Sequence, residues 1–379
     1  MPMTLNEEQR HLRETAREFL REKAPIAALR TLRDDHDPLG YSRELWVEMA
    51  EMGWAGIAIP EEFGGLDFGF GGLGVVLQEM GRTLSASPLY ASCVLGASAI
   101  LIAGEQHHKE EILPSVASGE VCLALALEES HRHDPLGVQL RAERTGEGYR
   151  LNGTKQFVLD GHSADRLVVV ARSAGEPGSA KGLSLFLVDP ATAGVSRRRT
   201  IMMDSRNAAR IEFHDVEVPV SALLGTEGEA WPALEQVLDR GRAMIAMEMY
   251  GSARECFDQT IEYLKTRKQF GALIGSFQAL QHRAAQMFTE LELLQSVVMD
   301  GCIKIDTASP LLPMVASLAK ARANDVFELV SSEAVQMHGG IGITDQLDIG
   351  LFLKRARVTM QILGDAYFHR DRYASLREF

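Results

Sequence analysis

The sequence predicts an α+β protein built from several domains: an N-terminal helical domain, a central β-barrel or sandwich, and a C-terminal four-helix bundle. Three observations carry this. Apolar residues recur at helical spacing to about residue 122, alternate between about 123 and 228, and return to helical spacing from 229 to 379. At 379 residues the chain is also too long for a single core. The expected domains are therefore 1–122, 123–228 and 229–379.

In the first part, Thr4 and Glu7 have capping-box spacing, and Leu5, Leu12, Ala16, Phe19 and Leu20 then share one helical face. A second helix over 45–52 ends at Gly53, and the run Pro60-Glu61-Glu62-Phe63-Gly64-Gly65 reads as a loop. Segments 71–84, 90–104 and 107–118 return to helical patterns.

In the second part, 138–144 and 149–158 alternate around a turn at Gly146-Glu147-Gly148. Asn152-Gly153 is a further tight-turn signal. The runs 166–171, 183–188, Ile211-Glu212-Phe213 and Val216-Glu217-Val218-Pro219 complete a set of short strands with no long helix among them. Arg197-Arg198-Arg199 lies in a further strand and reads as a solvated face.

In the third part, Leu234, Val237, Leu238, Gly241, Met244, Ile245 and Glu248 form one stripe of a long helix. Helices are expected at 277–304, 311–337, 349–362 and 366–377. The fifteen methionines mostly follow helical spacing and read as core filler.

Composition narrows the function. A net charge of -13 argues against a nucleic-acid partner. The four cysteines are scattered, without C-x-x-C or a histidine at metal spacing, so no metal site is expected. The N-terminus is polar, and no window approaches the ~18 consecutive apolar residues of a membrane span. A soluble, cytoplasmic protein is expected.

Two glycine-containing segments stand out: Arg267-Lys268-Gln269-Phe270-Gly271, leading to Gln278, and Gln336-Met337-His338-Gly339-Gly340-Ile341-Gly342. Adjacent glycines let a backbone approach a ligand and offer N–H groups to oxygen atoms. An Arg beside them suits a pyrophosphate through its planar fork. On spacing alone, two glycine C-caps with a surface Arg explain the same residues. No G-x-G-x-x-G follows a strand near the start, which disfavours a nicotinamide fold.

The helical–β–helical order and the paired R-x-Q-F-G and Q-x-H-G-G-x-G motifs, about seventy residues apart, resemble the acyl-CoA dehydrogenase family across nearly the whole chain. The runs 60–65, Asn152-Gly153-Thr154-Lys155 and Asp215-Val216-Glu217-Val218-Pro219 are further landmarks in the right order. The resemblance implies that Arg267, Gln269, Phe270 and Gln278, with Gln336, Gly339, Gly340 and Gly342, bind the FAD diphosphate and adenosine across a dimer interface. It also implies a dimer of dimers, an acyl-CoA substrate and an electron-transfer flavoprotein as acceptor. On the flavin-facing wall the chain departs from the family. Leu127-Glu128 stands where Thr-Glu is common, and Lys155-Gln156-Phe157-Val158-Leu159 where Lys-x-Trp-Ile-Thr is usual. Phe157 keeps an aromatic face, but Leu127 and Leu159 have no side-chain donor.

The family reaction removes the α-proton of a thioester while hydride leaves the β-carbon, and a carboxylate in a dry pocket serves as base. At the usual position this chain has Gly364, followed by Asp365; at the alternative one, just before the retained Arg242 assigned to substrate, it has Gly241. Asp365 is the candidate base, with helix N-capping as its other role. Glu248, two turns from Gly241, reads as a buried carboxylate paired with an Arg. His338 reads as a packing residue of its motif. His369-Arg370 lies in a Gly-Asp-x-x-x-His-Arg run, which recurs in unlike-chain assemblies and in bacterial side-chain or dicarboxylate degradation enzymes.

Three functions follow, in order. The first is FAD-dependent α,β-dehydrogenation of an acyl-CoA by a homotetramer. The second is a non-catalytic or partner subunit in a heterotetramer with a homologous chain. The third is another flavin reaction, such as nitroalkane oxidation through Asp365.

Overall fold

The computed structural model describes residues 4–379, which form two compact units. One unit gathers Leu32–Gly69 and Ala86–Gly241; the other gathers the segment up to Thr31, Phe70–Ser85 and Arg242–Phe379.

The first unit contains helices α3 (Arg43–Glu51), α5 (Ala97–Ala103) and α6 (Gln106–Ala117), and the end of α2 (Ile26–Asp34). A π-helical stretch, Tyr90–Gly96, leads into α5. The strands are β1 (Leu123–Ala126), β2 (Arg141–Arg144), β3 (Gly148–Leu159), β4 (Arg166–Arg172), β5 (Leu183–Val188), β6 (Val195–Ile201), β7 (Asn207–Pro219) and β8 (Leu223–Leu224). They make one hydrogen-bonded sheet in the order β6-β7-β3-β2-β4-β5-β8, with β1 parallel to β4. The sheet is nearly cut in two, because β2 and β4 share a single pair, Arg141 with Arg172. Leu151, Ile211 and Phe213 of one half and Leu167, Val169 and Phe186 of the other lie in one buried core. The Tyr149 and Phe186 rings meet edge-on at 4.9 Å across it. The β part is thus a sandwich rather than a closed barrel.

Within this unit the backbone differs from the sequence expectation in places. Asn152-Gly153 is not a turn but the middle of β3, where the register with β7 slips between Leu151 and Gly153. A Cβ on Gly153 would stand 2.8 Å from the Leu140 Cα, so glycine is there for close approach. Asn152 exchanges hydrogen bonds with Asp215, whose φ of 50° bends β7 opposite it. That bend also joins the two runs at 211–213 and 216–219 into one strand. The strand expected from 138 starts only at Arg141, because the buried Arg172 guanidinium takes the carbonyls of Leu136 and Val138.

The second unit holds α1 (Glu7–Lys23), α4 (Gly69–Thr83), most of α7 (Trp231–Thr266), α8 (Gln278–Asp306), α9 (Leu312–His338), α10 (Ile349–Thr359) and α11 (Ala366–Leu376), with the two-residue strands β9 (Lys268–Gln269) and β10 (Ala272–Leu273). The first helix is capped by Asn6 and Gln9 rather than Thr4 and Glu7. The Gln9 N–H donates to Asn6 Oδ1 at 2.7 Å and the Asn6 N–H to Gln9 Oε1 at 3.1 Å. Helix α9 is the centre of this unit, with α8, α10 and α11 packed against it. Helices α4 and α7 meet at glycines, since a Cβ on Gly251 would overlap the Gln78 carbonyl. Among the described residues, no helix is long and apolar enough to cross a membrane.

Candidate active site

In the second unit, α7 ends in the β9–β10 hairpin, whose turn is made by Phe270 and Gly271 at φ 54° and 77°. Phe270 is 92% exposed, and Arg267, Gln269 and Gln278 are exposed as well. Helix α9 ends where Gly339 adopts φ 65°, and Gln336, Gly339 and Gly340 face solvent. A Cβ on Gly339 or Gly340 would meet nothing within 4 Å, so their backbone is open to a ligand. Gly342 differs. It is buried, and its Cβ would press on the Val335 carbonyl oxygen at 2.7 Å, which makes it a packing glycine. The ends of α7 and α9 are neighbours: the Tyr263 and His338 rings stack at 4.2 Å, and Tyr263 Oη donates to the His338 carbonyl at 3.4 Å. Burial pushes the His338 imidazole below its ordinary pKa.

In the first unit, Leu127 is buried at the end of β1, and its carbonyl accepts from Lys155 Nζ at 2.9 Å. Lys155 also reaches Glu129 Oε1 at 2.7 Å, and Glu129 takes the N–H groups of Gln139 and Leu140 at 2.7 and 3.0 Å. Glu129 thereby ties three segments together around a groove of about 440 Å³ lined by Leu127, Glu128, Arg132, Asp134 and Thr154. Burial lowers the Lys155 pKa and the Glu129 carboxylate opposes it. Phe157, at φ 50° beside a second register slip in β3, is 43% exposed; Leu159 is half-buried. Glu129 escaped the sequence reading. The signal was Lys155, which the period of two places on the inward side of β3 with Tyr149 and Leu151, where a lysine needs a partner.

Gly241 lies in α7, and its carbonyl accepts from Tyr90 Oη at 3.0 Å. Gly364, in the turn between α10 and α11, has φ 111°. A Cβ there would stand 2.6 Å from Phe368 Cδ1 and 2.9 Å from His369 Nε2, so two side chains of α11 and the positive φ together close position 364. Asp365 is the N-cap of α11, accepting the Phe368 N–H at 2.8 Å. Arg242 is 1% exposed, with its guanidinium over the Phe368 ring at 5.5 Å and Nε 3.5 Å from the Leu363 carbonyl. That position supports the turn; it presents no exposed cation to a substrate. Glu248 pairs with Arg355 at 3.0 Å, both buried.

A group absent from the sequence reading lies beside Gly364. Lys320 on α9 is fully buried, and its Nζ donates to Asn324 Oδ1 at 2.7 Å, Gly364 O at 3.0 Å and Met360 O at 3.3 Å. Burial and the nearby Arg242 push its pKa well below the lysine range, against the pull of Asp365.

The comparisons with known proteins agree with this architecture. Residues 6–120, 122–216 and 228–375 match the N-terminal, middle and C-terminal domains of acyl-CoA dehydrogenase. The chain is therefore a member of the acyl-CoA dehydrogenase family, whose members are flavoenzymes. It is 31% identical to mitochondrial isovaleryl-CoA dehydrogenase of Pongo abelii over 93% of this chain and 85% of that one. It superposes on butyryl-CoA dehydrogenase from Megasphaera elsdenii with a TM-score of 0.92 at 25% identity, over 100% of both chains. A structure of the ChsE4-ChsE5 complex from Mycobacterium tuberculosis matches with a TM-score of 0.89 at 25% identity, also over 100% of both chains.

Proposed function

We propose that this chain is the base-less subunit of an FAD-dependent acyl-CoA dehydrogenase, joined to a homologous chain that carries the proton-abstracting carboxylate. The observation that carries the reading is the closed glycine at 364, together with a second glycine at 241: a carboxylate stands at neither position.

The residues present fit FAD. Arg267, with Gln269, Phe270, Gln278 and Gln336, would hold its diphosphate and adenosine, and the open backbone at Gly339 and Gly340 lets oxygen atoms approach N–H groups. All lie at the surface, as residues shared with a second chain would. Bound FAD supplies the hydride acceptor of an α,β-dehydrogenation. Phe157 offers it an aromatic face, while Leu127 and Leu159 leave polar contact on that wall to backbone N–H groups. The Glu129–Lys155 pair holds the 127–129 backbone that would make such contacts. The α-proton goes to the partner's carboxylate, because Asp365 is committed to its cap. A heterotetramer, an electron-transfer flavoprotein as acceptor and a cytoplasmic location complete the reading.

Co-expression with a homologue that has Glu at the position matching 364 or 241 is the test. A mixed assembly that retains flavin better than this chain alone supports the reading. A homo-oligomer with full flavin that ignores the homologue would sink it.

A further inference from the structure

We propose that His369 is a positioning residue that keeps position 364 closed, and that Lys320 locks the closed turn. The proposal rests on the base-less reading only for its meaning in catalysis, and the closure is testable on this chain alone.

The turn is held from three helices. Leu363 has φ 56° and Gly364 φ 111°, two successive left-handed conformations of which the first disfavours leucine. Its carbonyl accepts from His369 Nε2 of α11 at 2.9 Å and faces Arg242 Nε of α7 at 3.5 Å. The next carbonyl, of Gly364, accepts from Lys320 Nζ of α9 at 3.0 Å and faces Asn324 Nδ2 at 3.5 Å. Lys320 also takes the Met360 carbonyl where α10 ends, so one amine fixes both ends of the turn.

Two side chains crowd position 364, and they are not equivalent. Phe368 is half-buried and packs under the Arg242 guanidinium, whereas His369 is 0% exposed and also holds the turn through its own hydrogen bond. His369 therefore crowds position 364 directly and, through the Leu363 carbonyl, holds the backbone that aims its Cβ at both rings. It follows that Gly364→Glu alone cannot install a base, because the ring that blocks its Cβ also maintains the backbone that points the Cβ at the ring.

Thermal unfolding of Gly364→Ala in three backgrounds tests this. In the native chain and in His369→Gln, which keeps a donor and most of the bulk, Gly364→Ala should lower the melting temperature strongly. In His369→Ala the same substitution should cost markedly less. Equal losses in all three backgrounds would overturn the proposal. Should Gly364→Ala fail to fold, amide exchange over 360–366 in the single variants decides. Faster exchange in His369→Ala and in Lys320→Met, with His369→Gln like the native chain, supports the lock. Unchanged exchange in His369→Ala and Lys320→Met overturns it.

Discussion

Replacing Arg355 with Met tests the structural role of Glu248. The pair lies 3.0 Å apart with side chains 2% and 5% exposed, and Arg355 also donates to the Leu84 carbonyl at 3.4 Å. Removing the arginine strands a carboxylate in the interior, which costs about 3–5 kcal/mol. Replacing both residues, as Glu248→Leu with Arg355→Met, removes both charges and is close to neutral, so the coupling between the two sites is of the same order, about 3 kcal/mol. Glu248→Gln keeps an acceptor but leaves a guanidinium that cannot deprotonate without its counter-charge, so it should cost about 3 kcal/mol. Urea unfolding of the native chain, Arg355→Met, Glu248→Leu and the double variant, followed by circular dichroism, reads the cycle directly, with Glu248→Gln as a fifth protein. Additive losses would refute the buried pair. A Glu248→Gln protein of native stability that has lost all flavin reduction in the mixed assembly would refute the structural role and make Glu248 a base.

Three further outcomes follow from the same geometry. Gly340→Ala should leave the melting temperature unchanged, since its Cβ meets nothing, yet weaken FAD retention about tenfold or more if the backbone there approaches the diphosphate. Titration of flavin into the apoprotein checks it. Asp365→Ala should cost about 1 kcal/mol as a lost N-cap and Asp365→Asn almost nothing, measured by urea unfolding. Lys320→Met should change the pH dependence of stability. Because the folded pKa of Lys320 is depressed, the unfolded chain binds the extra proton between that lowered value and about 10.4. Native stability relative to Lys320→Met should therefore rise with pH across that window, as read from melting temperatures at successive pH values. A flat difference would mean that the amine keeps its proton.

The helices and strands were legible because each buries one periodic face. The stripe Leu234, Val237, Leu238, Met244 and Ile245 is indeed buried, and 183–188 is a strand with the bounds its apolar run marked. The Asn152-Gly153 misreading shows the limit. The same dipeptide serves a turn or a bulge, and the choice was made by Asp215 and Leu140, which are distant in sequence. Lys155 could have been read as inward-facing, but its partner Glu129 sits in an irregular loop with no period. Lys320 was invisible for another reason: α9 is buried on most sides, and two of the amine's three acceptors are backbone carbonyls, which leave no mark in a sequence. The glycines at 241 and 364 were plain in the sequence, but that position 364 is filled rather than vacant depended on φ at 363 and 364.

The most direct test is the flavin spectrum of this chain under anaerobic conditions with a pool of acyl-CoA thioesters, alone and then assembled with a homologue that carries the missing glutamate. The account predicts no bleaching by the chain alone and bleaching by the mixed assembly. Bleaching by this chain alone would show that it holds a base of its own and would contradict the account.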